Sequence, residues 1–112
     1  MKLKHIFILF LLTFAFIAKS QDIPPRPNPP RLVNDFADVL SPRQEQALEQ
    51  KLRYFNDTTS NQIAVVILKS LNGYDPAMMA IEIGEKWKVG QADFDNGIVV
   101  LVKPKYGNND KG

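Results

Sequence analysis

Ile63-Ala64-Val65-Val66-Ile67-Leu68 and Ile98-Val99-Val100-Leu101-Val102 are the stretches that decide the fold. Both are unbroken apolar runs rich in β-branched residues. A strand with one wet face alternates apolar and polar. A run without alternation fits a strand covered on both faces, as in a parallel sheet. Between the two runs lies a helical pattern. Asp75-Pro76 supplies a cap followed by proline, and Ala80, Ile83, Gly84 and Trp87 recur on one face. Gly84 in a helix interior costs about 1 kcal/mol relative to alanine, which predicts close packing of this helix on the sheet. Gly90 stands where a helix C-cap glycine is expected. Strand, helix and strand make a βαβ crossover.

Upstream, Ser41-Pro42 starts another helix. Ser41 suits the cap, Pro42 the first helical position, and Gln44 the reciprocal bond of a capping box. Ala47, Leu48, Leu52 and Phe55 mark its apolar stripe, and Glu49 and Arg53 are predicted to pair on its exposed face. The run of turn formers from Asn56 to Asn61 ends it. Trp87 reads as core, Met78 and Met79 as gap fillers, and Tyr74 as the rim of a pocket. The fold class is α/β: an α/β/α sandwich, here a partial domain with a βαβ unit preceded by one helix. Beyond Val102, Pro104 to Gly112 is turn chemistry of the kind that joins hairpin strands. Two strands would leave an open sheet edge on about 80 structured residues, so residues 32–112 are expected to be the N-terminal part of a longer domain.

The chain start reads as a signal peptide over residues 1–20. Lys2, Lys4 and His5 form its positive region, Ile6 to Ala18 its apolar region, and Ala18-Lys19-Ser20 its cleavage site. The apolar stretch falls short of the roughly 20 residues a membrane span needs. Export follows as an expectation, to the periplasm or another extracytoplasmic space. Ile23-Pro24-Pro25-Arg26-Pro27-Asn28-Pro29-Pro30 then predicts an extended linker over residues 21–31 that spaces the domain from the membrane.

Removal of Lys2, Lys4 and Lys19 turns the net charge of +2 into −1, so the basic isoelectric point of the whole chain is no nucleic-acid footprint. The chain has no cysteine, and its one histidine is His5. Disulfides, thiol nucleophiles, Ser-His-Asp triads and histidine-bound zinc are therefore excluded from the mature part. Carboxylates, hydroxyls, lysines and arginines remain for chemistry.

Among these, Asp35, Asp95 and Asn96 are the candidate metal ligands. Hard divalent cations such as Ca²⁺ take several oxygen ligands, and loop carboxylates, an amide oxygen and backbone carbonyls supply them. Gly97 permits the backbone to come close. The competing reading makes Asp35 a turn cap and Asp95-Asn96-Gly97 an ordinary turn. Asp93-Phe94-Asp95 has the look of an aspartate nucleophile with an aspartate acid, but that pair follows a strand in such enzymes and precedes one here. An EF-hand does not fit either, because the glycine comes one residue too early.

Several blocks together resemble one family, the TPM domain. They are Val33-Asn34-Asp35-Phe36-Ala37, Val39-Leu40-Ser41, Gln62 to Val66, Trp87 with Val89-Gly90, and Asp95-Asn96-Gly97 leading into the last apolar run. The resemblance covers about residues 31–103, and order and spacing carry it rather than any single motif. It implies an α/β/α sandwich outside the cytoplasm or in a lumen, often near a membrane. Asp38 departs from a position where glycine is common, and Lys88, Ala92 and Asp93 depart from the usual tryptophan-to-glycine stretch. The resemblance implies two functions. One is an accessory or binding module for an envelope membrane protein, with a cation at Asp35, Asp95 and Asn96. The other is a divalent-cation-dependent phosphatase acting on phosphate esters.

Overall fold

The computed structural model describes residues 23–90 and 96–106. Five elements follow in order: β1 (Val33–Asp35), α1 (Pro42–Thr59), β2 (Gln62–Ile67), α2 (Pro76–Trp87) and β3 (Gly97–Val102). The strands form one parallel sheet in the order β1-β2-β3, so both helices are crossovers. Val33 to Asp35, expected only as extended chain, is thus a third strand, in register from Val33↔Val65 to Asp35↔Ile67. Bonds from Val65 N to Leu32 O (2.7 Å) and from Phe36 N to Ile67 O (2.9 Å) extend that ladder.

Both helix starts form as the cap chemistry requires. Gln44 N donates to Ser41 Oγ (3.2 Å) and Ser41 N to Gln44 Oε1 (2.9 Å), which closes the capping box. Asp75 Oδ2 accepts from Met78 N (3.3 Å), with Pro76 in the first turn. The ends differ from expectation in one place. α2 closes on Lys88, in the left-handed region at φ 53°, and not on Gly90. Gly90 has φ 91° and answers a different need: a Cβ there would lie 2.5 Å from Gly97 N. Only glycine lets the chain turn so tightly beneath the start of β3.

Alternation along the strands assigns the two faces. Val66, Leu68, Val99 and Leu101 share a face and pack with Met79, Ile83 and Trp87 of α2. Met79 and Ile83 are fully buried, and a Cβ at Gly84 would sit 3.4 Å from Val99 Cγ2, the close approach the glycine predicted. Met78 instead faces outward, half exposed, so only one of the two methionines fills the core. Tyr74 packs partly buried against the same core. On the other face Val33 shares a groove with Pro42, Glu45, Gln46 and Glu49 of α1. Leu48, Leu52 and Phe55 are half-buried there, while Ala47 is exposed. The result is the expected α/β/α layering.

β3 departs from the expectation of a strand covered on both faces. Ile98, Val100 and Val102 are 53%, 42% and 40% exposed. The cause is placement: α1 lies over β1 and β2, and no described element covers the same face of β3.

The proline-rich segment also departs, being docked rather than a free spacer. Ile23 packs on the core of α2. Trp87 Nε1 donates to Pro24 O (2.8 Å), Lys86 Nζ to Ile23 O (3.1 Å), and Arg26 Nη1 to Trp87 O. The strap's carbonyls find donors at the end of α2, where the last helical carbonyl in turn needs one.

Candidate functional site

In an open parallel sheet, ligands bind outside the carboxyl ends of the strands. Asp35 closes β1 at that end. Its Oδ2 accepts from Leu40 N (2.7 Å) and so clamps the loop Phe36–Leu40. That loop holds Asp38 at φ 55°. The left-handed region favours glycine and tolerates aspartate. The other oxygen of Asp35, Oδ1, is buried and has no hydrogen-bond partner among the described residues. A buried carboxylate oxygen without a donor carries a desolvation cost of about 1–3 kcal/mol or more, and a cation or an ordered water removes it. One oxygen of Asp35 thus caps a turn, as one reading of the sequence has it, and the other is buried without a donor.

Asn96 lies elsewhere. It precedes Gly97, which pairs with Gln62 at the start of β2, whereas Asp35 pairs with Ile67 at its end. Five residues of strand at about 3.3 Å each set the two ends about 16 Å apart. Ligands of a calcium ion stand at roughly 2.3–2.6 Å from it, so Asp35 and Asn96 do not share one ion. Asn96 Nδ2 donates to Ser60 O and ties the start of β3 to the end of α1. Asp95, with Asp93 and Phe94, lies outside the described residues. Among the described residues there is no group of three or more His, Cys, Asp or Glu side chains that could hold a metal.

Two polar side chains hold the sheet ends in roles that the residue pattern did not give them. Glu49 was expected on the exposed face of its helix with Arg53. The pair forms, at 3.3 Å from Arg53 Nε, but the Glu49 side chain is 19% exposed. Its carboxylate accepts from Leu32 N (2.9 and 3.0 Å) and Val33 N (3.2 Å), the first donors of β1. The available signal was its position beside Leu48 and Leu52 on the buried stripe. Gln62 Oε1 likewise accepts from Gly90 N (2.7 Å) and pins the turn under β3.

These features define a three-layer α/β domain with a parallel sheet, a carboxylate at its carboxyl end and an edge strand that the described residues leave uncovered on one face. A family model, the TPM domain, matches residues 33–110, and the chain belongs to that family. No curated protein matches the chain.

Proposed function

We propose that the chain acts outside the cytoplasm as a TPM-type binding module of the cell envelope, which engages a membrane-protein partner along β3. The observation that carries this reading is the exposure of Ile98, Val100 and Val102 on a strand whose far edge has no partner among the described residues. Natural edge strands are protected by charge, proline or a bulge. Gly97-Ile98-Val99-Val100-Leu101-Val102 carries no charge and no proline, and it pairs in regular register with β2. Such an edge takes up an added strand through its backbone while the apolar side chains select the sequence. The signal-like chain start supports export, where envelope partners are found.

The test is site-specific photocrosslinking from Val100 in cells. A crosslink to a membrane protein that disappears with Ile98→Lys, while the purified variant stays folded, supports the module. Persistence of the crosslink in that variant refutes it. Strand protection in a longer chain read through codon 112 would instead assign β3 to a further strand of the same domain.

A second reading, a divalent-cation-dependent phosphatase, draws on one observation, the buried and unpartnered Oδ1 of Asp35 at the carboxyl end of the sheet. Asp35 would hold the cation, which on binding supplies an activated water and shields phosphate charge. Cation-dependent hydrolysis of a phosphate ester, lost in Asp35→Asn with the fold intact, would establish this reading in place of the module.

A further inference from the structure

Residues 23–30 lie against the end of α2 as a short peptide lies on a receptor. Trp87 Nε1 donates to Pro24 O (2.8 Å), Lys86 Nζ donates to Ile23 O (3.1 Å), and Arg26 Nη1 donates to the Trp87 carbonyl. Phe36 stands edge-on to Trp87, with ring centroids 6.3 Å apart, and is itself 40% exposed. We infer that Trp87 and Phe36 form a recognition surface for a proline-rich segment of a partner protein, and that the chain's own strap occupies it as a built-in competitor. The inference is independent of the β3 reading.

Proline has no N–H, so a segment this rich in it presents carbonyls that need donors from outside. An indole N–H beside an aromatic face meets that need, and aromatic surfaces are where proline-rich segments dock. Burial at the contact is one-sided. Trp87 is 2% exposed, yet no strap residue is fully buried: Ile23, Pro24, Arg26 and Pro27 are half-buried, and Pro25, Asn28, Pro29 and Pro30 are exposed. A segment that buries so little of itself belongs to the low end of local stability. It also has a place to hinge. Arg31 is exposed, and the chain beyond it is clamped where Glu49 accepts from Leu32 N and Val33 N. The strap can therefore leave α2 while β1 stays paired, and its departure uncovers Trp87. Covalent attachment gives the strap an effective concentration of about 1 mM. A second copy brings the same segment at far lower concentration and does not displace it. A partner displaces it with a segment that fits better.

Trp87 is the only tryptophan in the chain, so its fluorescence reads the strap directly. Ile23→Asp and Arg26→Ala each weaken the strap from its own side. Both variants should keep their far-UV circular dichroism and shift the Trp87 emission to the red. A synthetic peptide of residues 23–31 should then restore the blue-shifted emission in a saturable titration, and the same peptide with alanine in place of each proline should not. Wild type should bind the peptide about tenfold more weakly than the variants, the ratio of a cis concentration of about 1 mM to a peptide Kd of about 0.1 mM. Loss of the fold in both variants overturns the proposal, because the strap would then be part of the core. An unshifted emission in both, no saturable response to the peptide, or equal affinity in wild type and variants overturns it as well. Dimerisation of the variants that buries Trp87 without added peptide would assign the surface to a second copy, against a partner protein.

Discussion

Replacing Glu49 with alanine should destabilise the protein far more than replacing its ion-pair partner Arg53. The structure gives the reason. Glu49 accepts the backbone N–H groups of Leu32 and Val33, residues only 6% and 4% exposed. Once the carboxylate is removed, those donors lose the acceptor that the structure gives them. Each unsatisfied buried donor costs about 1–3 kcal/mol, so Glu49→Ala should lose roughly 2–5 kcal/mol. Arg53, with its side chain 58% exposed, contributes a screened surface pair. Its alanine variant should lose only about 0–1 kcal/mol. Glu49→Gln keeps an acceptor without the charge and should fall between, at about 1 kcal/mol, since charged bonds are roughly twice as strong as neutral ones. Urea unfolding of the four proteins at one pH and ionic strength measures all three differences. For a domain whose whole stability is about 5–15 kcal/mol, the Glu49→Ala loss is large enough to read directly. If Glu49→Ala lies within about 0.5 kcal/mol of wild type, the bond to β1 does not hold the strand, and the argument fails. Equal losses for Glu49→Ala and Arg53→Ala would fail it too, because they would make the ion pair the source of stability.

Gly90→Ala should cost at least about 2 kcal/mol, from a strained φ and from a new Cβ against Gly97 N, and a chemical-denaturation midpoint checks it. Ile83→Ala, at a fully buried position under α2, should lose about 2–5 kcal/mol in the same measurement. Trp87→Phe keeps a ring in the core but removes the bond to Pro24 O; a loss of about 1 kcal/mol is expected, and a nick in the strap by a protease should become faster.

The βαβ unit was legible in the sequence because two unalternating apolar runs flank an amphipathic helix with a cap at its start. What those runs do not state is which strand lies in the middle. β2 and β3 read alike, yet among the described residues only β2 has neighbours on both sides, and exposure on β3 follows from where α1 lies. β1 was hidden because Val33-Asn34-Asp35 is short and mostly polar; its strand character comes from pairing with β2. Composition marked residues 23–30 as an extended spacer. It was silent on docking, which depends on the indole N–H of Trp87, over 60 residues away. At the candidate site the carboxylate Asp35 was legible as a residue type at the end of an extended segment. Its separation from Asn96 was not, because that follows from strand direction. In a parallel sheet the residue that closes one strand and the residue that opens another stand at opposite ends.

That polarity gives the cation reading a sharp form. With Asp35 and Asn96 about 16 Å apart along the strand direction, a cation bound at the unpartnered Oδ1 of Asp35 depends on Asp35 alone of the two. At a cation concentration ten times its dissociation constant, binding to the folded state adds about 1.4 kcal/mol and raises the melting midpoint. The rise should vanish in Asp35→Asn. It should persist in Asn96→Ala, although that variant starts from a lower midpoint because it has lost the bond to Ser60 O. The order of effects is what matters: baseline stability falls with Asn96, and the response to calcium falls with Asp35. A melt in which folded Asn96→Ala no longer responds to calcium, while Asp35→Asn still does, would put the ion at the start of β3. The strand-end argument for Asp35 would then be wrong, whatever activity the protein has.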